Sequence, residues 1–263
     1  MNAATASGRL QLAKTVAAVA AAEALQFSKG RHQLDVQQKL PNEFVSEADA
    51  AVEHTIRRGI AETYPHDQVV GEELGGHESH AFWSVDPIDG TSNFLRGSPL
   101  WGISIAYVVE GRSDVGVIAL PELGLTVATQ RGESLTCNDK PVANQAPSDI
   151  SVVGVGENSY WPPEEIGSLE AHLRSKNCGV AGFRCATVGL AFAALGRTDG
   201  YIEKRTNLWD IAAGRLLCEQ AGLAVEDGDE AVAEHPSVWV RAVSGRIQPF
   251  VEPWWQSRPL PTD

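Results

Sequence analysis

The chain has 263 residues, with 34 acidic against 21 basic side chains and a formal net charge of −13. That balance argues against a general nucleic-acid binder, because phosphate backbones reward clustered Lys and Arg. Hydrophobic residues make up 43% and charged residues 21%, an ordinary globular composition with length enough for one large domain or two closely packed halves.

In chain order, the first sixty-odd residues read as two helices joined by a loop over residues 30–44. Val16, Val19 and Ala20 keep helical spacing in the first helix, and Val52, Ile56 and Ile60 in the second. The Ala/Val-rich run 15–22, preceded by Arg9 and Lys14, has some look of a secretory signal until Glu23 interrupts it; a plain amphipathic helix is the simpler reading. Ser46 is a candidate N-cap for the second helix, with Asp49 three residues on and Tyr64-Pro65 as the stop. From Gln68 onward short β-rich runs at 69–70, 82–85, 103–109, 115–120 and 125–129 predict strands of one sheet. Glu110-Gly111-Arg112 and Pro121-Glu122-Leu123-Gly124 look like hairpin connections, so the sheet is expected to be largely antiparallel. Residues 144–149 read as a seam between halves. Beyond it the pattern predicts a strand at 152–155, a helix at 162–176, a helix at 187–195 ending at Gly196 and a short strand at 201–203. A last clear helix spans 209–221, with Ile211, Leu216 and Leu217 on its apolar side and Gly222 as its stop. This alternation of helix and sheet layers is an α+β architecture.

No stretch approaches the roughly 18 uninterrupted apolar residues that a membrane-spanning helix needs, so a soluble protein with no membrane partner is expected. Cys137, Cys178, Cys185 and Cys218 stand far apart, with no C-x-x-C pair and no His at zinc-finger spacing. They read as reduced, mostly buried thiols of a cytoplasmic protein. The seven histidines are scattered without ligand-like company.

The richest stretch is Trp83-Ser84-Val85-Asp86-Pro87-Ile88-Asp89-Gly90-Thr91, a strand delivering two carboxylates into a Pro/Gly-shaped turn. Hard cations such as Mg²⁺ want oxygen ligands, commonly a few carboxylates with substrate phosphate and water. Asp86, Asp89 and the Ile88 carbonyl fit that need. Gly90 leaves room for a ligand against the backbone, and the amides of Gly90 and Thr91 can receive a phosphate oxygen. The same letters also spell an ordinary tight turn. Glu72, in Gly71-Glu72-Glu73, can reach the same sheet edge as a third carboxylate or stand as a solvated acid. Asp210, in Leu208-Trp209-Asp210-Ile211-Ala212-Ala213-Gly214, opens a helix and reads equally as a cap. Asp49 shares that alternative, since an acid in a first helical turn complements the helix dipole.

The four blocks together, with Val45-Ser46-Glu47-Ala48-Asp49 first and Asp86-Pro87-Ile88-Asp89-Gly90-Thr91-Ser92-Asn93-Phe94 third, resemble the inositol monophosphatase family of Mg²⁺-dependent, Li⁺-sensitive phosphatases. The resemblance runs from about residue 39 to residue 222. It implies the layered αβαβα sandwich shared with fructose-1,6-bisphosphatase. An N-terminal half, residues 1–145, would carry most metal ligands; a C-terminal half, 146–263, would carry the last ligand and the specificity residues. It further implies two or three Mg²⁺ held by Glu72, Asp86, the Ile88 carbonyl, Asp89 and Asp210. Asp49, Thr91 and Glu72 would serve catalysis, Asp49 holding Thr91 so that both orient the attacking water. Water would attack phosphorus directly, with no phosphoenzyme, and the protein would be a homodimer.

Substrate choice, by the same resemblance, belongs to the second half. Glu203, seven residues before Asp210, matches a carboxylate that accepts from substrate hydroxyls, unless it is an exposed acid beside Lys204 and Arg205. Ala186 matches a small residue near the sugar. Gly182-Phe183-Arg184-Cys185 replaces smaller residues common in the family, and Arg184 either serves a second anionic group on the substrate or pairs with a nearby acid. Lys39 lies in a loop that forms a flexible arm in relatives, and is either a supporting residue or a solvated lysine. Trp254-Trp255 reads as a core or subunit contact. Ile88 after Pro87 favours inositol 1-phosphate over the fructose 1,6-bisphosphate and 3′-phosphoadenosine branches, which often have Leu there. Histidinol phosphate is the alternative substrate. A binding role in a transcription complex, as a bacterial relative can have, is the alternative of a different class.

Overall fold

A computed structural model describes residues 3–40, 43–143, 149–232 and 235–257. The chain opens with α1 (Ala3–Lys29), a 3-10 turn (Arg31–Gln33), a hairpin of β1 (Val36–Leu40) and β2 (Glu43–Ser46), and α2 (Glu47–Thr63). Next come β3 (Gln68–Gly71), β4 (Ala81–Asp89), the short α3 (Thr91–Arg96), β5 (Gly102–Val109), β6 (Arg112–Leu120) and β7 (Leu125–Gln130). The two-residue strands β8 (Thr136–Cys137) and β9 (Lys140–Pro141) close this part. The remainder is β10 (Val152–Val155), α4 (Pro163–Ser175), β11 (Gly179–Ala181), α5 (Ala186–Ala194), β12 (Gly200–Thr206), α6 (Leu208–Gln220), β13 (Ala224–Val232), β14 (His235–Val243) and α7 (Gln248–Gln256).

Strands β3 to β9 form one sheet in sequence order, antiparallel except for the parallel β3–β4 pair. A second sheet runs β11-β10-β12-β14-β13. Side chains alternate across a strand, and here the alternation feeds separate cores. Ile103, Ile105, Val115 and Val117 point to one face of the large sheet, where Ala13, Val16, Ala17 and Ala20 of α1 and Val52 and Ile56 of α2 cover them. The small alanines let α1 lie close to the sheet. Ala106, Val108, Ile118 and Leu120 point to the other face, against Val188 and Leu190 of α5 and Ile211 and Leu217 of α6. The same helices meet Tyr201, Val240 and Ala242 of the second sheet. Its outer face, with Val153, Val155 and Ile202, is closed by Leu169 and Leu173 of α4 and Val251 and Trp254 of α7. The layers are therefore α1/α2, sheet, α5/α6, sheet, α4/α7: the expected five-layer α+β sandwich.

Several expectations need correction. The loop expected over 30–44 contains the β1–β2 hairpin, whose register puts Val36 opposite Ser46. Val19 of α1 is 52% exposed, so the buried stripe runs through Val16, Ala17 and Ala20. That burial places Val16, Ala17 and Ala20 of the run 15–22 on the inner face of a core helix. Strand β11, the β13–β14 pair and α7 were not expected. Ala224–Val232 carries Glu226, Asp227, Asp229 and Glu230 and reads as loop, yet it sits at a sheet edge, where charged residues are tolerated and guard against further pairing. Trp254 belongs to the outermost core, its indole donating to Ser168 Oγ at 3.1 Å. The seam expected at 144–149 falls largely outside the described residues. Every strand of the large sheet precedes it, and every strand of the smaller sheet follows.

Candidate active site

Residues three apart on an unbroken strand face opposite sides, so Asp86 and Asp89 need an irregularity to share one. Asp86 pairs with Ser104 and Asp89 with Gly102, leaving β4 with one residue more than β5 between those points. The extra residue is a bulge that turns Asp89 back toward Asp86. Pro87, which has no N–H to give to the ladder, suits such a spot. Gly90 follows with φ +83; a Cβ there would also lie 3.1 Å from Cys185 Cβ, so the αL turn and the close approach both require glycine. Glu72 is delivered by the parallel neighbour, its amide donating to the Val85 carbonyl at 3.3 Å.

Asp49 and Asp210 each serve as a cap and as part of the site. Asp49 Oδ2 accepts from Ser46 N and Ser46 Oγ, both at 2.8 Å, closing the capping box of α2, while Oδ1 lies 3.2 Å from Thr91 Oγ1. Thr91 Oγ1 also lies 3.1 Å from the Ile88 carbonyl. Asp210 Oδ2 accepts from Asn207 N at 2.9 Å and Thr206 Oγ1 at 2.6 Å at the start of α6. Oxygen atoms of Glu72, Asp86 and Asp210 lie within 4.8 Å of one another. Asp89 Oδ2 accepts from the Thr187 amide at 2.6 Å, which ties it to the start of α5.

Like charges about 4 Å apart repel by about 4 kcal/mol at an effective dielectric near 20, so this cluster must hold protons or cations. Burial raises every member. Asp49 and Asp89 are pushed up to about 6 and Glu72 to about 8, with Asp210 adding to the rise at Asp89 and at Glu72, where Lys39 opposes it. Asp86, desolvated and facing Glu72, Asp89 and Asp210, is held well above the carboxylate range, and burial raises Asp210. Asp86 Oδ1 accepts from Ile88 N at 3.0 Å, but its buried Oδ2 has no hydrogen-bond partner. An orphaned carboxylate oxygen among other carboxylates, all hard donors, fits a hard divalent cation.

Lys39 bridges Glu72 Oε1 at 3.0 Å and Glu73 Oε1 at 2.6 Å, so it is a member of the site and not a plain solvated lysine. Glu203 is buried, not the exposed acid of the alternative reading. Its Oε1 accepts from Asn158 Nδ2 at 2.9 Å and its Oε2 from the Tyr201 hydroxyl at 2.7 Å, and burial pushes its carboxyl up to about 8. Glu203, Ala186 and Arg184 line the same 2120 Å³ cleft as Asp86, Asp89 and Asp210. Arg184 faces Glu157 at 3.5 Å.

Sequence reasoning missed the residues that hold these groups in place. Glu53 is fully buried, and its Oε2 accepts from the Glu73 amide at 2.8 Å while Arg57 Nε reaches Oε1 at 2.7 Å. The helical spacing of Asp49, Glu53 and Arg57 was the available signal. Asn158, Tyr201 and the Thr187 amide carry no such signal, because only the fold brings them to Glu203 and Asp89.

The chain matches the inositol monophosphatase family over residues 7–252. It is 37% identical over 204 residues to an inositol-1-monophosphatase of Mesorhizobium japonicum, covering 74% of this chain and 76% of the relative. It is 36% identical over 217 residues to a histidinol-phosphatase of Chlorobaculum parvum, covering 81% and 83%. The Nus factor SuhB of Pasteurella multocida is 32% identical over 237 residues, covering 83% and 88%. The crystal structure of the extragenic suppressor protein suhB from Bartonella henselae superposes with a TM-score of 0.85 at 26% identity, covering 94% of this chain and 98% of that one. A five-layer sandwich, an acidic cluster at the bulged end of β4 and a match along almost the whole chain lead to one conclusion: this chain belongs to the inositol monophosphatase family and is a phosphoric monoester hydrolase.

Proposed function

We propose that the protein is a Mg²⁺-dependent phosphomonoesterase of small polyol or sugar phosphates, with inositol 1-phosphate as the leading substrate. The observation that carries this reading is the orphaned Asp86 Oδ2 among the oxygens of Glu72 and Asp210, beside the Asp49–Thr91 pair. Glu72, Asp86, the Ile88 carbonyl, Asp89 and Asp210 would hold two or three Mg²⁺. Bound cations neutralise phosphate oxygens, acidify a water and stabilise the leaving alkoxide. Asp49 takes the Thr91 hydroxyl hydrogen, which leaves the Thr91 oxygen free to accept from the attacking water and to aim it at phosphorus. Glu72 assists in orienting that water, and the amides of Gly90 and Thr91 receive a phosphate oxygen. Phosphate monoesters hydrolyse extremely slowly without catalysis, so charge neutralisation and alignment carry most of the acceleration. Ala186 leaves space for the polyol, and Glu203 accepts from its hydroxyls with the lone pairs that Asn158 and Tyr201 do not use.

In this reading residues 1–145 and 146–263 are the two functional halves, and the protein is a cytoplasmic homodimer. Four free cysteines, three of them buried, suit a reducing compartment. Among the described residues no helix is long and apolar enough to cross a membrane. Histidinol phosphate is the second substrate, favoured by the relative of that name. The relative named as a Nus factor supports a binding role in transcription beside catalysis; a scaffold alone has no use for the full carboxylate set. Turnover of inositol 1-phosphate, histidinol phosphate, fructose 1,6-bisphosphate and 3′-phosphoadenosine 5′-phosphate, each with and without Mg²⁺, tests the reading. Magnesium-dependent release of phosphate from the first is expected, and no release from any of the four overturns it.

A further inference from the structure

Six non-glycine residues described here have positive φ. Glu110, Asn138, Asp139 and Asn177 sit in hairpin turns or just past a helix end, where such a conformation is ordinary. The other two are arginines, Arg184 with φ +52 and Arg205 with φ +56, and both line the catalytic cleft. A strained backbone at a ligand cleft calls for a reason. For Arg205 the reason is internal: its guanidinium holds the Tyr160 carbonyl at 2.9 Å and Glu230 at 3.2 Å. The two other cleft cations are likewise engaged, Lys39 with Glu72 and Glu73, and Arg215 with Asp227 and the Gly111 carbonyl.

Arg184 differs. Its side chain is 45% exposed, and its partner Glu157, 41% exposed, stands at 3.5 Å. A wet pair at that distance contributes little, so an incoming anion can replace Glu157 at small cost. The backbone fixes where the guanidinium starts. Arg184 directly precedes Cys185, whose Sγ lies 3.4 Å from the Asp89 carbonyl, and the Thr187 amide holds the Asp89 carboxylate. The planar fork of Arg matches carboxylate and phosphate bidentately.

We infer that Arg184 is a specificity-determining residue that binds a second anionic group, phosphate or carboxylate, on the alcohol portion of the substrate, with Glu157 as its resting partner. The inference rests on the phosphomonoesterase reading but not on inositol as the alcohol. Inositol 1-phosphate remains a substrate, and a second anion on a comparable alcohol improves it.

The test compares matched pairs: fructose 1,6-bisphosphate against fructose 1-phosphate, and 2-phosphoglycerate against glycerol 2-phosphate. In the wild type the doubly anionic member of at least one pair is favoured in kcat/KM, and which pair responds tells phosphate from carboxylate. Arg184→Gln lowers that preference on the order of tenfold, the scale of a charged hydrogen bond, through KM and with the singly anionic member nearly unaffected. Arg184→Lys retains part of it. Glu157→Gln, which frees the guanidinium, raises it. Opposite effects of the two Gln variants separate a substrate contact from a merely structural pair, which would make them alike. Unchanged ratios in Arg184→Gln, or parallel losses in both variants, overturn the inference. Calorimetric binding of phosphonoacetate against ethylphosphonate repeats the comparison without turnover, and an equal affinity loss for both in Arg184→Gln also overturns it. Absence of hydrolysis in the wild type is a separate failure, that of the phosphatase reading.

Discussion

At single side chains, two acids of the site each do two jobs. Asp49 and Asp210 give one oxygen to a helix cap, which is why the sequence could be read either way; the alternatives are not exclusive. Asp89 accepts from the Thr187 amide, a bond that Asn can still accept. Asp89→Asn is therefore expected to fold normally, with an unchanged circular dichroism spectrum, and to lose about 10³-fold in turnover, the scale of losing a preorganised electrostatic contact. Hydrolysis at the normal rate would remove Asp89 from the ligand set. Glu203→Gln keeps the contact with the Tyr201 hydroxyl but alters what the buried group offers to a polyol. It is expected to raise KM for inositol 1-phosphate several-fold more than for an aryl phosphate, within the roughly 10-fold reach of one neutral hydrogen bond. Equal losses on both substrates would deny it a specificity role.

Among the secondary elements, helix starts do the positioning: α2 brings Asp49, α5 the Thr187 amide and α6 Asp210. The capping signals of α2 and α6 were legible, and so were most of the helices and central strands, because periodicity and stop residues are local. The β1–β2 hairpin, β11, β13, β14 and α7 were not legible. Val36–Leu40 and Ala224–Val232 are too polar to announce themselves as strands, and they become strands by pairing with a partner. Ser46→Ala removes the hydroxyl that donates to Asp49 Oδ2 at 2.8 Å. It is expected to lower stability by about 1 kcal/mol, the usual worth of an N-cap, and to reduce kcat more than it raises KM, since a loosened Asp49 holds Thr91 less well. Thermal unfolding with steady-state kinetics checks both, and a variant with wild-type stability and wild-type kcat would show that the cap does not support the site.

For the molecule as a whole, the layered core stabilises the fold while the carboxylate cluster opposes it. Asp49, Glu72 and Asp89 titrate at about 6, 8 and 6 in the folded, metal-free state, against about 4 when unfolded. Between those values the folded state carries protons that the unfolded chain has lost, so metal-free stability falls as pH rises from about 4 to about 8. With Mg²⁺ bound the carboxylates need no protons, and the fall shrinks or reverses. Melting temperatures in EDTA at pH 5, 6, 7 and 8 should decrease steadily, and the Mg²⁺ increment should be largest at pH 8. A flat or rising profile in EDTA would mean that the cluster is not strained without metal.

The sequence by itself determined the alternation of helix and strand, the two caps, the Pro/Gly-shaped Asp-Pro-Ile-Asp-Gly turn and the family, because each is written in short runs of neighbouring residues. Tertiary structure decided which acids meet, that Glu203 is buried between Asn158 and Tyr201, that Glu53 anchors the Glu72 loop, and that Arg184 meets the half-exposed Glu157 at the cleft. Those outcomes depend on contacts between residues dozens of positions apart, whose distances are set by how five layers pack and not by any local preference of the chain.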